Sequence, residues 1–221
     1  MRRLVVYVLL ISLLCCVVTV SALELIVIMD RECITVDELY GFTICGCGGV
    51  TYVYPGLGDR VVILAHSCDY CQLVSVTVHE LVHAVLDITD EYRTEYLTYY
   101  IMTYHLGEEA RRCAIESALR IYAAWVREVA QMLESCVRSC SVYNNYFYLW
   151  CDCVATCIDR AVDMSVLWCG DYCRAAIDFL LDWLSNREPE WLQEVKWKLD
   201  IYTDLIRHYL GLVLRQWKNV N

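Results

Sequence analysis

Two of the five histidines in this 221-residue chain, His79 and His83, are four residues apart, and Glu80 directly follows the first. On an α-helix that spacing sends both imidazoles out of one face, where their neutral nitrogens can grip a single zinc ion. Glu80 then lies beside the coordination position that remains. The chemistry this assembles is zinc-dependent hydrolysis of a peptide bond. Zinc brings the pKa of a water to near ~7, and the carboxylate takes its proton and passes it to the leaving amine. The neighbours suit a buried helix beneath a cleft, since Leu81, Val82 and Val85 are apolar and Thr77, Val78 and Ala84 carry no charge.

A catalytic zinc takes three protein ligands and keeps the fourth place for water. After His83 the run Asp87–Ile88–Thr89–Asp90–Glu91 predicts a reversal near Ile88, with Thr89 as N-cap of a second helix and Asp90 and Glu91 in its positive first turn. A helix running back beside the first brings Glu95 level with His83, so Glu95 is the expected third ligand and Glu91 the alternative. An oxyanion donor is also required. Tyr99, Tyr100, Tyr104 and His105 are the candidates close in sequence.

From about Val61 to Tyr104 the chain resembles the zincin metallopeptidases, and the helix-borne glutamate makes it similar to the gluzincins. The run Glu95–Tyr96–Leu97–Thr98–Tyr99 looks like the glutamate helix of the short HExxH proteins of phages and other viruses. The gap between His83 and the glutamates is shorter than in the better-known members. In the longer gluzincins an acidic residue four places after the ligand glutamate supports a zinc histidine, an arrangement that Glu91 followed by Glu95 would satisfy. The resemblance implies zinc as cofactor, a peptide or protein substrate, and an edge strand along the cleft, at the place in the chain that Val61–Ala65 occupies. Two rival functions remain open: an exported, disulfide-rich structural or binding protein on an inactive zincin scaffold, and a zinc hydrolase acting on something other than peptide.

The elements that must position this site fall in three parts. Residues 1–22 read as a signal peptide or membrane anchor, because Leu4 to Val20 is uncharged, follows Arg2 and Arg3, and ends in Val20–Ser21–Ala22. The protein is thus expected to be exported, either secreted or held to the membrane through residues 4–20 if they are not cleaved. Residues 23–106 form the expected zincin-like domain, with short strands at Leu25–Met29, Thr43–Cys45, Val50–Tyr54 and Val61–Ala65 before the metal helix. Residues 107–221 read as a cysteine-rich helical region with a packing face through Ile115, Leu119, Tyr122, Val126, Val129 and Leu133. The expected class is therefore α+β: an N-terminal hydrophobic helix, a small sheet with an HExxH helix and a glutamate helix, then a helical bundle. A net charge of −10 with no basic stripe excludes nucleic acid as the expected partner.

Fifteen cysteines, thirteen of them beyond residue 22, point to disulfides and an oxidising compartment. Thirteen is odd, and Cys113 is the expected free thiol. Cys45, Cys47, Cys68 and Cys71 offer a four-thiolate zinc site as an alternative to disulfides involving Cys33. Cys136-x-x-x-Cys140 and Cys153-x-x-x-Cys157 each place two sulfurs on one side of a helix, with Asn144–Asn145 as a turn between them. This segment resembles the helical hairpins held by paired CxxxC motifs, which implies the nested bonds Cys140–Cys153 and Cys136–Cys157.

Overall fold

The computed structural model describes the backbone of residues 23–28, 33–35, 43–45, 48–53, 60–65 and 69–220, with side chains at residue 51 and through 69–218 apart from 162, 166 and 168. The N-terminal segment 1–22 and the cysteines 33, 45, 47 and 68 fall outside the residues whose side chains are described. Six helices account for most of the chain: α1 (Tyr70–Leu86), α2 (Glu91–Tyr104), α3 (Glu108–Ser139), α4 (Phe147–Trp168), α5 (Asp171–Ser185) and α6 (Leu192–Val220). A 3-10 turn at Cys140–Tyr143 links α3 to α4.

Local chemistry sets the helix ends that matter for the site. Asp69 caps α1 by accepting the Gln72 N–H at 2.8 Å, and the Gln72 side chain accepts the Asp69 N–H at 3.1 Å, a reciprocal capping box. α1 stops at Asp87, whose left-handed backbone (φ 59, ψ 45) is one that Asp tolerates better than most residues. α2 begins one residue later than the sequence suggests, because Asp90 rather than Thr89 caps it by accepting the Arg93 N–H at 2.7 Å. The chain direction changes by 115° between α1 and α2, so α2 crosses α1 obliquely instead of running straight back along it.

Residues 1–114 with 188–221 form one compact unit and residues 115–187 another, the division falling inside α3. The expected boundary after residue 106 lies eight residues earlier, and α6 belongs with the unit that holds the histidines. In that unit Leu73, Val78, Leu81, Val82 and Leu86 of α1 are buried, as are Tyr96, Leu97 and Ile101 of α2 and Leu199, Ile206 and Val213 of α6. α6 also ties down the C-terminal ends of both site helices. Lys198 Nζ donates to the Leu86 carbonyl at 3.1 Å and Arg207 Nε to the His105 carbonyl at 2.8 Å, cations placed where the terminal carbonyls of α1 and α2 lack partners.

The α+β expectation is corrected. The described fold is 86% helical, with no sheet among the residues whose packing it defines, and its architecture is helix on helix. In residues 23–65 the backbone alone makes short ladders: β1 (Leu23–Ile28) runs parallel to β5 (Arg60–Ala65), β4 (Gly48–Val53) lies antiparallel to β5, and β2 (Cys33–Thr35) pairs with β3 (Thr43–Cys45). Among the residues whose burial is described, the core positions lie in the helices. The edge-strand expectation for Val61–Ala65 also fails, since β5 has a partner on each side.

Cysteine placement differs from expectation at one point. Cys113 is bonded to Cys71, joining the first turn of α1 to α3 with Cα atoms 5.1 Å apart. It is not the free thiol, and Cys71 is thereby withdrawn from the four-thiolate alternative. In the second unit the structure joins Cys136 to Cys157 and Cys140 to Cys153, with Cα separations of 5.6 and 5.8 Å. Cys169 is bonded to Cys173 across the break between α4 and α5. Among the described residues the free cysteine is Cys151, which is exposed. No single described helix is long and apolar enough to cross a membrane.

Candidate metal centre

His79 and His83 lie one turn apart on α1, and their Nε2 atoms approach to 3.2 Å. The other nitrogen of each ring is already engaged. His79 Nδ1 is 2.9 Å from Glu95 Oε2, and His83 Nδ1 is 2.5 Å from the carbonyl oxygen of Ile88. In the neutral tautomer that donates from Nδ1 to these oxygens, each ring presents the lone pair of its Nε2. Two lone pairs brought this close repel unless a proton or a cation lies between them.

A third donor joins them. Glu91 Oε2 is 3.3 Å from His79 Nε2, and Glu91 Oε1 is 3.6 Å from His83 Nε2. Tetrahedral zinc with ligand bonds of 2.0–2.1 Å sets its ligand atoms about 3.3 Å apart. The Nε2–Nε2 separation is of that size, each histidine is met by a different oxygen of Glu91, and the ligand atoms of His79, His83 and Glu91 all lie within 4.8 Å of one another, a group able to hold a metal ion. The imidazoles keep about 15% and 14% exposure while Glu91 is 63% exposed, so the group opens to solvent on the Glu91 side.

Of the two candidate third ligands, Glu91 is the one grouped with both histidines, while Glu95 lies elsewhere. Glu95 meets Nδ1 of His79, on the far side of the ring from the converging nitrogens, where a carboxylate orients a metal-bound histidine. The cause is the oblique crossing. A straight reversal would bring Glu95 level with the histidines, whereas the 115° bend and the later start of α2 bring its first residue, Glu91, to them. Ile88 supplies its carbonyl from the short connection that the left-handed Asp87 opens.

Charge balance agrees with a cation. Glu95 is 1% exposed, its Oε2 meets His79 and its Oε1 has no hydrogen-bond partner. Burial by itself lowers the His79 pKa, but the hydrogen bond to Glu95 and the charges of Glu95, Glu80 and Glu91 outweigh it and the net shift is upward. Two imidazoles thus meet three carboxyl groups, an excess of negative groups that a divalent ion offsets.

Glu80 is buried and close enough to both histidines to feel their charge. Desolvation raises its pKa, opposed by a hydrogen bond from Thr51 and by the two histidines. The Thr51 hydroxyl donates to Glu80 Oε2 at 2.7 Å, and the Glu80 carbonyl oxygen is 2.9 Å away. Sequence reasoning missed Thr51. It lies 29 residues before Glu80, and nothing in its neighbourhood marks it as different from any other threonine in an extended stretch.

The oxyanion candidates are not brought to the two histidines. Tyr99 is fully buried, and Tyr104 and His105 are at the far end of α2, about 20 Å along the helix from Glu91. There they join a separate cluster with Tyr100, which donates to Glu188 at 3.2 Å. Burial and the Glu188 charge push the Tyr100 hydroxyl up to about 12. The sulfurs of Cys140, Cys153 and Cys157 also lie close together, but all three are in disulfides, which removes them as thiolate ligands. No family model, curated protein or solved structure matches the chain.

Proposed function

We propose that this chain is a zinc-dependent metallopeptidase in which His79, His83 and Glu91 hold the metal and Glu80 carries the proton. The observation that supports this best is the convergence of His79, His83 and Glu91 within 4.8 Å, with the opposite nitrogen of each imidazole close to an oxygen acceptor. When bound, zinc supplies the Lewis acidity that activates a water and polarises a carbonyl. The chain's own residues do the rest. Glu95 and the Ile88 carbonyl hold the imidazoles in the tautomer that faces the metal. Glu80, raised in pKa by burial and held by Thr51, takes a proton from the attacking water and gives it to the leaving amine. Peptide as substrate follows from the resemblance of the HELVH segment to the gluzincins, and the disulfides accord with an exported protein.

The test is metal content together with one substitution. Purified protein holds about one zinc per chain, a chelator removes it together with proteolysis, and Glu80→Gln keeps the zinc but loses proteolysis. Wild-type protein without zinc refutes the reading. Protein that needs zinc and Glu80 to cleave an ester or amide, yet leaves every peptide intact, moves it to the other class of hydrolase.

A further inference from the structure

We infer that the Cys169–Cys173 bridge is a thiol–disulfide exchange site, and that a cavity beside Cys169 receives a thiol carried on an apolar body. The site lies wholly within residues 115–187, and the inference is independent of the metal group. A cavity of about 360 Å³ is walled there by Trp125, Ile177 and Cys169, with Ser165, Arg174 and Asp178 completing its lining. The Ser165 carbonyl accepts the Trp125 indole N–H at 3.4 Å and the Cys169 N–H at 3.1 Å. One acceptor thus holds the ring and the cysteine together at the end of α4. Arg174 and Asp178 lie 3.7 Å apart, so the charges in the wall offset each other and an uncharged ligand meets no lone ion.

This bridge differs from the other described ones in two ways. Cys71–Cys113, Cys136–Cys157 and Cys140–Cys153 close separations of 42, 21 and 13 residues, and each has a buried member in Cys113, Cys157 or Cys140. Cys169–Cys173 closes a separation of 4, so it constrains the unfolded chain least, and neither of its cysteines is buried. The placement of its two sulfurs also assigns them different parts. Cys169 lines the cavity and Cys173 does not, so a thiolate seated there attacks the Cys169 sulfur. Cys173 is the third residue of α5, whose N-cap Gly170 supplies no side-chain cap, and the positive helix end stabilises a departing thiolate. Asp171 and Arg174 flank it with opposite charges, which leaves the helix end to decide. The incoming sulfur bonds to Cys169 as the Cys169–Cys173 bond breaks, and the electron pair leaves on Cys173, which takes up a proton. A second thiolate then attacks the incoming sulfur of the mixed disulfide and releases Cys169 as thiolate. Two small thiols are oxidised to one disulfide, and the protein bridge is reduced to two thiols.

The experiment compares two alkyl thiols of similar acidity, phenylmethanethiol and 2-mercaptoethanol, as reductants of the full chain. The exposed thiol of Cys151 is first blocked with iodoacetamide, the reaction is quenched with isotopically labelled iodoacetamide, and peptide mass spectrometry follows each bridge. Cys169–Cys173 is expected to open before the other described bridges, and about tenfold or more faster with phenylmethanethiol, the advantage that burying an aromatic body supplies. The trapped intermediate carries the phenylmethylthio group on Cys169 and the labelled alkyl group on Cys173. Trp125→Ala should lose the preference for the aromatic thiol while its rate with 2-mercaptoethanol stays at the wild-type value. Equal rates for the two thiols in the wild type overturn the inference, as do an adduct on Cys173 instead of Cys169 or another described bridge opening first. A folded Trp125→Ala that keeps the full preference also overturns it. The rate ratio and the adduct position are read on the wild type, so they decide even where that variant does not fold.

Discussion

Removing Glu91 should weaken zinc binding more than removing Glu95, although Glu95 is the better buried and the closer to a histidine. Glu95 reaches His79 only through Nδ1 at 2.9 Å, so Glu95→Ala leaves all three converging donors in place and removes the group that orients one of them. Losses of orienting partners run to about 10–100-fold in metal affinity, or roughly 1.4–2.8 kcal/mol. Glu95→Gln is gentler, because the amide oxygen can still accept from Nδ1; it should fall near the tenfold end. Glu91→Ala deletes a donor that lies 3.3 Å from one Nε2 and 3.6 Å from the other, leaving two ligands where a catalytic site needs three. Its loss should exceed the hundredfold ceiling. Competition with a chromophoric chelator in metal-depleted buffer measures all three variants, and far-ultraviolet circular dichroism checks that Glu95→Ala, which empties a buried position, remains folded. Equal losses at the two positions, or a larger loss at Glu95, would refute the assignment of the two carboxylates.

Glu80→Gln should retain zinc while turnover drops by about 10²–10⁴, the usual span for removing a general acid–base; unchanged turnover in a peptidase assay would take that role from Glu80. Thr51→Val should leave zinc stoichiometry intact and lower turnover about tenfold or more, since a hydrogen bond to a charged group contributes roughly 1.5–3 kcal/mol. Wild-type kinetics in that variant would show that Thr51 does not hold the carboxylate. Replacing Cys136 and Cys157 by serine should destabilise the chain by less than the ~3 kcal/mol expected of an isolated loop, because the inner bridge already constrains most of the same segment. Removing both bridges should cost more than the sum of the two single removals, because each constrains the segment when the other is absent, and simple additivity in denaturant unfolding would argue against nested action.

What the sequence made legible was spacing within one helix. HExxH and CxxxC are patterns of period 3.6, and their consequence for which side chains share a face follows from helix geometry with no knowledge of the rest of the fold. The position of α2 was not legible in that sense. The capping pattern places a helix start near residue 90, but Thr89 and Asp90 are both good caps, and the choice between them shifts which glutamate leads the helix. The crossing angle depends on Asp87 adopting a left-handed conformation and on Lys198 and Arg207 of α6 securing the ends of α1 and α2 from more than 100 residues away. The α+β expectation failed for a related reason: alternation in residues 23–65 is local, whereas which segments supply a core is a property of the whole chain.

The two glutamates show why burial alone misleads about metal ligands. In the proposed assignment the directly binding carboxylate is the exposed one, and the supporting one is in low dielectric, where a single hydrogen bond to an imidazole is strengthened. Glu91 at 63% and Glu95 at 2% side-chain exposure have these opposite environments while one helical turn apart. The four-residue step between them is therefore as informative as the one between the histidines. It lets α2 present one carboxylate to Nε2 and another to Nδ1 of the same ring, so that rotation of His79 away from the metal breaks two interactions at once. Glu95 matters to the proposed chemistry because it limits that rotation, although it would never touch the ion.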